Sequence, residues 1–350
     1  MITKIKPIRM LPISKYYARD EGALCSCKHY IGIGFNFPIY MQVVGKVLVC
    51  DSIDQSGLTA LKRAGLTVDY RPEIRADELL SYVKDYDVII VRSRTRLTAQ
   101  VIAAATNAKI IARVGVGLDN IDVASAEASR IRVINAPEAA MNAVSELTIG
   151  MMVALARSIP RADNETKRGN WIKKELMGTE LKGKYLGIVG VGNIGRNVGR
   201  IARAMRMNLV GNDPYPINRD FIKEVGLIVT DLKTLAESSD FITCHVPSTS
   251  ETRHMFNADL FSKMKPSAYF INTSRGEVID ENALYDALKN GKIAGAALDV
   301  FEIEPPIKNQ LLNLPNLICT PHIGSQTKEA QELASIVIAE KIIQILREHP

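Results

Sequence analysis

A chain of 350 residues with 47% apolar and 23% charged side chains has the composition of an ordinary globular protein, long enough for two domains with separate cores. Its net charge of +6 does not read as a nucleic-acid surface: residues 1–50 hold seven basic and two acidic side chains, whereas the rest of the chain holds 37 and 36. Cys25, Cys27, Cys50, Cys244 and Cys319 form no CxxC pair or zinc spacing, which fits a reducing, cytoplasmic setting, and no apolar run approaches a membrane span.

Residues 1–44 carry most of the basic excess. Residues 1–19 have five basic side chains and no acid, a faint transit-peptide character, but Pro7, Pro12 and Pro38 interrupt any sustained helix. The expectation is an N-terminal extension without regular structure. From residue 45 onward short β-rich runs alternate with amphipathic helices. Strands are predicted at Lys46–Cys50, Thr67–Arg71, Val88–Val91, Lys109–Val114 and Val133–Asn135, with helices near Leu58–Ala64, Ala76–Lys84 and Ala99–Ala105. A long apolar-rich helix is predicted over Ala140–Arg168. A second series runs from Leu186 through Leu209–Asn212, Ile228–Val229, Phe241–Val246, Ala268–Asn272, Ala294–Val300 and Leu317–Thr320, closed by a helix at Lys328–Leu346. Repeated β-α-β units with short loops predict an α/β chain with two doubly wound parallel-sheet domains.

The second series opens on Tyr185-Leu186-Gly187-Ile188-Val189-Gly190-Val191-Gly192-Asn193-Ile194-Gly195-Arg196, and the next apolar run ends on Asp213. Strand, Gly-x-Gly-x-x-Gly turn, helix, strand and carboxylate is the order of a dinucleotide-binding unit. Gly190 permits the tight turn, Gly192 the approach of a pyrophosphate and Gly195 close packing of helix on sheet. Asn193 and Ile194 start a helix whose unpaired N–H groups suit the phosphates. Asp213 is placed to accept the ribose hydroxyls and to repel a 2′-phosphate, so NAD is expected over NADP.

No serine or cysteine sits in a nucleophile elbow and no histidine pair has metal-ligand spacing, so no metal is expected. Hydride transfer at a 2-hydroxy acid needs a cation for the carboxylate, an acid/base for the hydroxyl proton and a group that tunes it. Three strand ends supply candidates: Asn272-Thr273-Ser274-Arg275-Gly276, Asp299-Val300-Phe301-Glu302-Ile303-Glu304-Pro305, and Thr320-Pro321-His322-Ile323-Gly324. Alone, each also reads as a surface cation, a solvated loop acid or a packed histidine. Together, beyond the carboxyl ends of strands, they read as a cleft.

These four motifs, in this order, resemble the D-isomer-specific 2-hydroxyacid dehydrogenases over residues 45–340. The resemblance implies a Rossmann-type cofactor domain (141–320) inserted in a flavodoxin-like substrate domain (45–140 and 321–350), with a catalytic cleft between them. It implies that Arg275 binds the substrate carboxylate, that His322 exchanges the hydroxyl proton, and that Glu304, favoured over Glu302, raises the His322 pKa. It further implies that Asp299 contacts the nicotinamide carboxamide, that His245 and Pro247 line the adenosine half, and that the helix-rich segment 140–168 mediates a homodimer or higher oligomer.

In the first series, Val91-Arg92-Ser93-Arg94-Thr95 ends a strand with two cations, and Arg113-Val114-Gly115-Val116-Gly117 offers backbone to a carboxylate. Arg92, Ser93 and Arg94, with Val114 and Gly115, are the candidate substrate contacts, and two guanidiniums suit a phosphate. With Met177-Gly178-Thr179-Glu180-Leu181, this resembles the branch of the family that oxidises D-3-phosphoglycerate, so the expected partner is a small 2-hydroxy or 2-oxo acid carrying a phosphate. A hydroxypyruvate or glyoxylate reductase is the neighbouring alternative, and an NAD(H)-sensing co-repressor-like binding protein is the alternative of another class. The chain runs 28 residues past His322, so no C-terminal regulatory domain is expected. Ser325-Gln326-Thr327 and Asn135-Ala136-Pro137-Glu138 depart from the family's usual Ala-Ser/Thr-Thr and Pro-Gly and leave the pocket wall open.

Overall fold

The computed structural model describes residues 43–348, so the expected N-terminal extension lies outside the described residues except for Val43 and Val44. Val43 already belongs to the first core: it is buried, and its N–H reaches the Ala64 carbonyl at 3.0 Å.

The first half builds β1 (Lys46–Val49), α1 (Gln55–Arg63), β2 (Thr67–Tyr70), α2 (Ala76–Tyr82), β3 (Val88–Val91), α3 (Ala99–Ala104), β4 (Ile110–Arg113), α4 (Val123–Ala128) and β5 (Arg132–Asn135). Its sheet has the order β2-β1-β3-β4-β5, all parallel, so the chain reverses direction between β1 and β3. The second half begins with α5 (Met141–Ala156) and α6 (Ile159–Lys167), then β6 (Tyr185–Val189), α7 (Asn193–Ala204), β7 (Asn208–Asn212), α8 (Arg219–Val225), β8 (Ile228–Val229), α9 (Leu232–Ser238) and β9 (Phe241–Cys244). It continues through α10 (Ala258–Lys263), β10 (Tyr269–Asn272), α11 (Glu281–Lys289), β11 (Gly295–Leu298) and β12 (Leu317–Cys319), and α12 (Lys328–Glu348) follows. The second sheet is also parallel, in the order β12-β11-β10-β9-β6-β7-β8, with its reversal between β6 and β9.

Both sheets are covered on two faces, so their central strands are buried throughout rather than alternating: β3, β9 and β11 are buried at every residue. Alternate residues of one strand feed opposite cores. Val47 and Val49 join the layer beneath α1 and α12, while Leu48 and Cys50 join the layer beneath α2 and α3. Ala334, Ile338, Ala339 and Ile342 of α12 share the core of Leu58 and Leu61, so the last helix returns to the first sheet.

Register sets the site. Cys244 pairs with Val189 and Asn272, Asn272 with Leu298, and Leu298 with Cys319, so the turns after β6, β9, β10, β11 and β12 open on one edge. In the first sheet Val91 pairs with Arg113 and Arg113 with Asn135, which levels the turns after β3, β4 and β5 in the same way.

Three details differ from the sequence expectation. The predicted helix over 140–168 is two helices bent by 64°. Ser158 is left-handed with φ of 50°, and Pro160, which lacks an N–H, stands in the first turn of α6. Helix α1 starts three residues earlier than predicted, because the Asp54 carboxylate accepts from the Ser56 N–H and caps it. Helix α4 is six residues long, too short to show a period. Among the described residues no single helix is long and apolar enough to cross a membrane, and no group of three metal-ligating side chains forms.

Candidate active site

The glycine turn lies at the β6–β9 reversal. Gly190 has φ of 89°, a conformation in which a side chain is strained, and a Cβ there would also stand 2.8 Å from the His245 carbonyl. A Cβ on Gly195 would reach the Gly190 carbonyl oxygen at 2.1 Å, so the start of α7 is pressed onto the turn. Gly192, by contrast, has open space where a Cβ would be. Gly192 also caps α7 without a side-chain hydrogen bond, leaving the first N–H groups, those of Asn193 and Ile194 included, uncapped by any side chain. Asp213 is bound into the turn, accepting from the Val191 N–H at 2.7 Å and the Tyr215 N–H at 2.9 Å. His245 donates or accepts at Nε2 with Thr243 Oγ1 (3.0 Å), while its Nδ1 is buried and unpartnered among the described residues. Burial drives its pKa down to about 3, so it is neutral. A cradle open only at Gly192, an uncapped helix start and an orphaned buried nitrogen on the same cleft fit a bound dinucleotide. The cleft, about 420 Å³, is also lined by Ile194, Pro247, Thr273, Arg275, Asp299 and His322.

The three strand-end motifs converge there. Asn272 organises the first: its Oδ1 accepts from the Ser274 N–H at 2.9 Å and its Nδ2 donates to the Arg275 carbonyl at 2.8 Å. Arg275 is thereby aimed across the cleft, with Nη1 donating to the Ser274 carbonyl (2.6 Å) and Nε to Asp119 Oδ2 (3.0 Å). Glu304 and His322 meet directly, Nδ1 to Oε2 at 2.8 Å. That hydrogen bond, opposed by burial and helped by the Glu304 charge, holds the imidazole above its ordinary pKa. Burial pushes the Glu304 carboxyl up, but the His322 hydrogen bond and charge outweigh it and hold the carboxyl below its usual range. Glu302 is spent elsewhere, taking the Glu281 N–H at 3.2 Å and His254 at 3.0 Å.

Asp299 has a task the motif did not reveal. Its buried carboxylate accepts from Thr320 Oγ1 (2.5 Å), the Ile323 N–H (2.8 Å) and the Gly324 N–H (2.8 Å), and its carbonyl accepts from the His322 N–H (2.8 Å). It therefore fixes the loop that carries His322, whose φ is 52°, while still lining the cleft.

On the first-sheet side a second cavity of about 280 Å³ is lined by Arg92, Ser93, Arg113, Val114, Gly115 and Gln326, with Glu304 and His322 on its wall. Arg113 and His322 border both cavities. Arg92 donates to Gln326 Oε1 at 2.9 Å. Arg94 is a correction. Its guanidinium donates to the carbonyls of Ile74 (3.1 Å), Cys50 (2.7 Å) and Pro72 (2.6 Å) and pairs with Asp51 at 3.3 Å, so it braces the loop and does not line the cavity. The strand ends at Val91, and beyond it side chains two apart no longer share a face. The second cation is instead Arg113, 21 residues on, whose guanidinium is pulled down to about 10 by burial and by Arg275 nearby. Its signal was its place at the end of β4, level with Val91. Gln326 lay in one of the segments that departs from the family pattern, and Asp119 had no motif of its own.

A sequence model described as "D-isomer specific 2-hydroxyacid dehydrogenase, NAD binding domain" matches residues 149–324. The chain is 46% identical over 303 residues to the D-3-phosphoglycerate dehydrogenase of Methanocaldococcus jannaschii, covering 86% of this chain and 57% of that one. It is 44% identical over 304 residues to the hydroxypyruvate reductase of Thermotoga maritima, covering 86% of this chain and 98% of that one. The chain thus spans a little over half the length of the D-3-phosphoglycerate dehydrogenases that it matches in sequence. Among solved structures, a glyoxylate reductase from Paecilomyes thermophila superposes with a TM-score of 0.80 at 29% identity, over 87% of this chain and 95% of that one. With its two parallel sheets, its NAD-binding half and this extent of identity, the chain belongs to the D-isomer-specific 2-hydroxyacid dehydrogenases.

Proposed function

We propose that the protein oxidises D-3-phosphoglycerate to 3-phosphohydroxypyruvate with NAD, the entry to serine synthesis, and catalyses the reverse reduction. The observation that carries this reading is the pair of arginines, Arg92 and Arg113, in a cavity that adjoins the Arg275–His322 cleft. A plain 2-oxo acid has one carboxylate for Arg275 and leaves that second cationic cavity without an anion; a phosphate fills it.

In this reading Arg275 takes the substrate carboxylate and polarises the C2 oxygen. Glu304 holds the Nδ1 proton of His322, so Nε2 is the nitrogen that exchanges the hydroxyl proton. In oxidation neutral His322 receives that proton; in reduction the imidazolium returns it to the carbonyl oxygen. NAD, when bound, would supply the acceptor for the hydride that leaves C2 in oxidation and, as NADH, the donor for reduction. Gly190, Gly192, Asn193, Ile194, Gly195, Asp213, His245 and Pro247 are the residues that would hold it. Asp213 would accept the adenosine ribose hydroxyls.

The Thermotoga hydroxypyruvate reductase, matched over almost its whole length, supports the second reading, reduction of an unphosphorylated 2-oxo acid. NADH consumption with 3-phosphohydroxypyruvate, hydroxypyruvate and glyoxylate in parallel separates the two. The expected result is a much higher kcat/KM for the phosphorylated acid; equal or better use of hydroxypyruvate would overturn it. A cytoplasmic location and a homodimer belong to the same proposal. Ile159 in α6, and Trp171 and Met177 beyond it, are 48%, 82% and 93% exposed, apolar surface that suits contact with a second copy. Cell fractionation tests the first, and a single monomer boundary in sedimentation velocity would refute the second.

A further inference from the structure

Arg275 belongs to the second sheet, yet its Nε is held by a carboxylate of the first. Asp119 Oδ2 lies 3.0 Å from it, on the loop that follows β4. The contact is built closely. A Cβ on Gly117 would stand 1.8 Å from Arg275 Nη2 and 2.5 Å from Asp119 Oδ2, so a side chain there would push both groups off this position. Arg275 Nη1 is turned to the Ser274 carbonyl, and among the described residues no acceptor pairs with Nη2. Two sides of the fork are thus fixed by protein, one of them by a group from across the cleft.

Local charge works against this placement. Arg113 borders the same cleft, mostly buried, and repels Arg275. An oxygen that accepts from Nε holds the side chain in place against that repulsion. Asp119 is itself open to water, its side chain 65% exposed, so its desolvation cost is small while the arginine it holds is 23% exposed.

We propose that Asp119 is a positioning residue for Arg275. It occupies the Nε side of the guanidinium so that the terminal nitrogens are presented to the substrate's carboxylate and C2 oxygen, and it does so from the opposite domain, tying the alignment of Arg275 to the apposition of the two halves. The proposal rests on the reading of Arg275 as the group that receives the substrate carboxylate.

The variants Asp119→Ala and Asp119→Asn test it in the full-length protein. Alanine removes the acceptor, and asparagine keeps an oxygen for Nε while removing the charge. The expected result with Ala is a kcat lowered about 10- to 100-fold, the scale of a misaligned reacting group. The KM for the 2-oxo acid should rise as well, because the misaligned guanidinium is also the group that receives the carboxylate. Asparagine should recover most of the kcat, and neither variant should change the NADH dissociation constant or the melting temperature. A kcat within twofold of wild type for Ala overturns the proposal. So does a loss that Asn fails to rescue and that tracks a lowered melting temperature, which marks a purely structural contact. Any of the three oxo acids that turns over serves as substrate. Should wild type reduce none of them, the proposed activity falls, and Asp119 is then judged by crystal structures of the two variants. Arg275 displaced in Ala and retained in Asn supports it; Arg275 unmoved in both overturns it.

Discussion

The two halves of this molecule carry arginines at strand ends, and the two outcomes are opposite. Arg94, in the first half, gives its donors to three backbone carbonyls and a buried aspartate, and it braces a loop. Arg275, in the second, donates to one carbonyl and one exposed carboxylate, and among the described residues its Nη2 has no protein acceptor. Residue type and position in the fold are alike; the number of protein acceptors within reach separates a cation that braces a loop from one left open to the cleft. The same contrast runs through the halves as wholes. In the second, each candidate group sits in a short motif at a strand end. On the first-sheet side, the cationic cavity gathers Arg92 and Arg113 from two strand ends and Gln326 from the segment after β12.

The comparison can be broken or sharpened at single residues. The largest effect is expected at His322. His322→Ala should lower turnover by about 10²–10⁴-fold in both directions, with NADH binding retained, in steady-state kinetics and fluorescence titration. Near-normal turnover would remove the histidine from the chemistry. Next come the first-half arginines, where the contrast with Arg94 is directly at stake. Arg113→Ala and Arg92→Ala should each cost roughly 10- to 100-fold in kcat/KM for the phosphorylated acid, the value of a charge-assisted hydrogen bond, and little for glyoxylate. Arg94→Ala should show its main effect as a lower melting temperature, with the ratio of the two substrates kept; a selective loss on the phosphorylated acid would return Arg94 to the pocket. The smallest effect concerns pH. Glu304 raises the His322 pKa, so the imidazolium survives to higher pH than an unpaired histidine would allow. Reduction, which needs that proton, should decline as pH rises through the raised value, and oxidation should increase through it. In Glu304→Gln both limbs should move to lower pH, toward the ordinary histidine range. Profiles that do not move would mean that the pair does not titrate as one.

The legibility of the site follows the same division. The glycine turn, Asp213, Arg275, Glu304 and His322 could be read because each sits in a short motif whose geometry is local. Arg113 could not be singled out in that way. Its role depends on β4 lying beside β3 with Val91 level with Arg113, which is a fact of register between strands. The family resemblance implies a nicotinamide contact for Asp299, yet its carboxylate accepts three hydrogen bonds from residues 320–324, a contact that exists only once β11 and β12 are paired. The alternation of strands and helices predicted both sheets. The break at Ser158 went unseen because Pro160 is tolerated in the first turn of a helix, and so it does not by itself announce a boundary.

His322 has a left-handed backbone, with φ of 52°. That conformation costs an ordinary side chain about 1–2 kcal/mol, and asparagine or glycine bears it more easily. With His322 in its proposed role, catalysis and foldability ask for different amino acids at one position. Thermal selection without an activity screen should drift away from histidine there, enriching sturdier and inert descendants. The Asp299 hydrogen bonds that hold residues 320–324 are what let the chain keep the less comfortable residue.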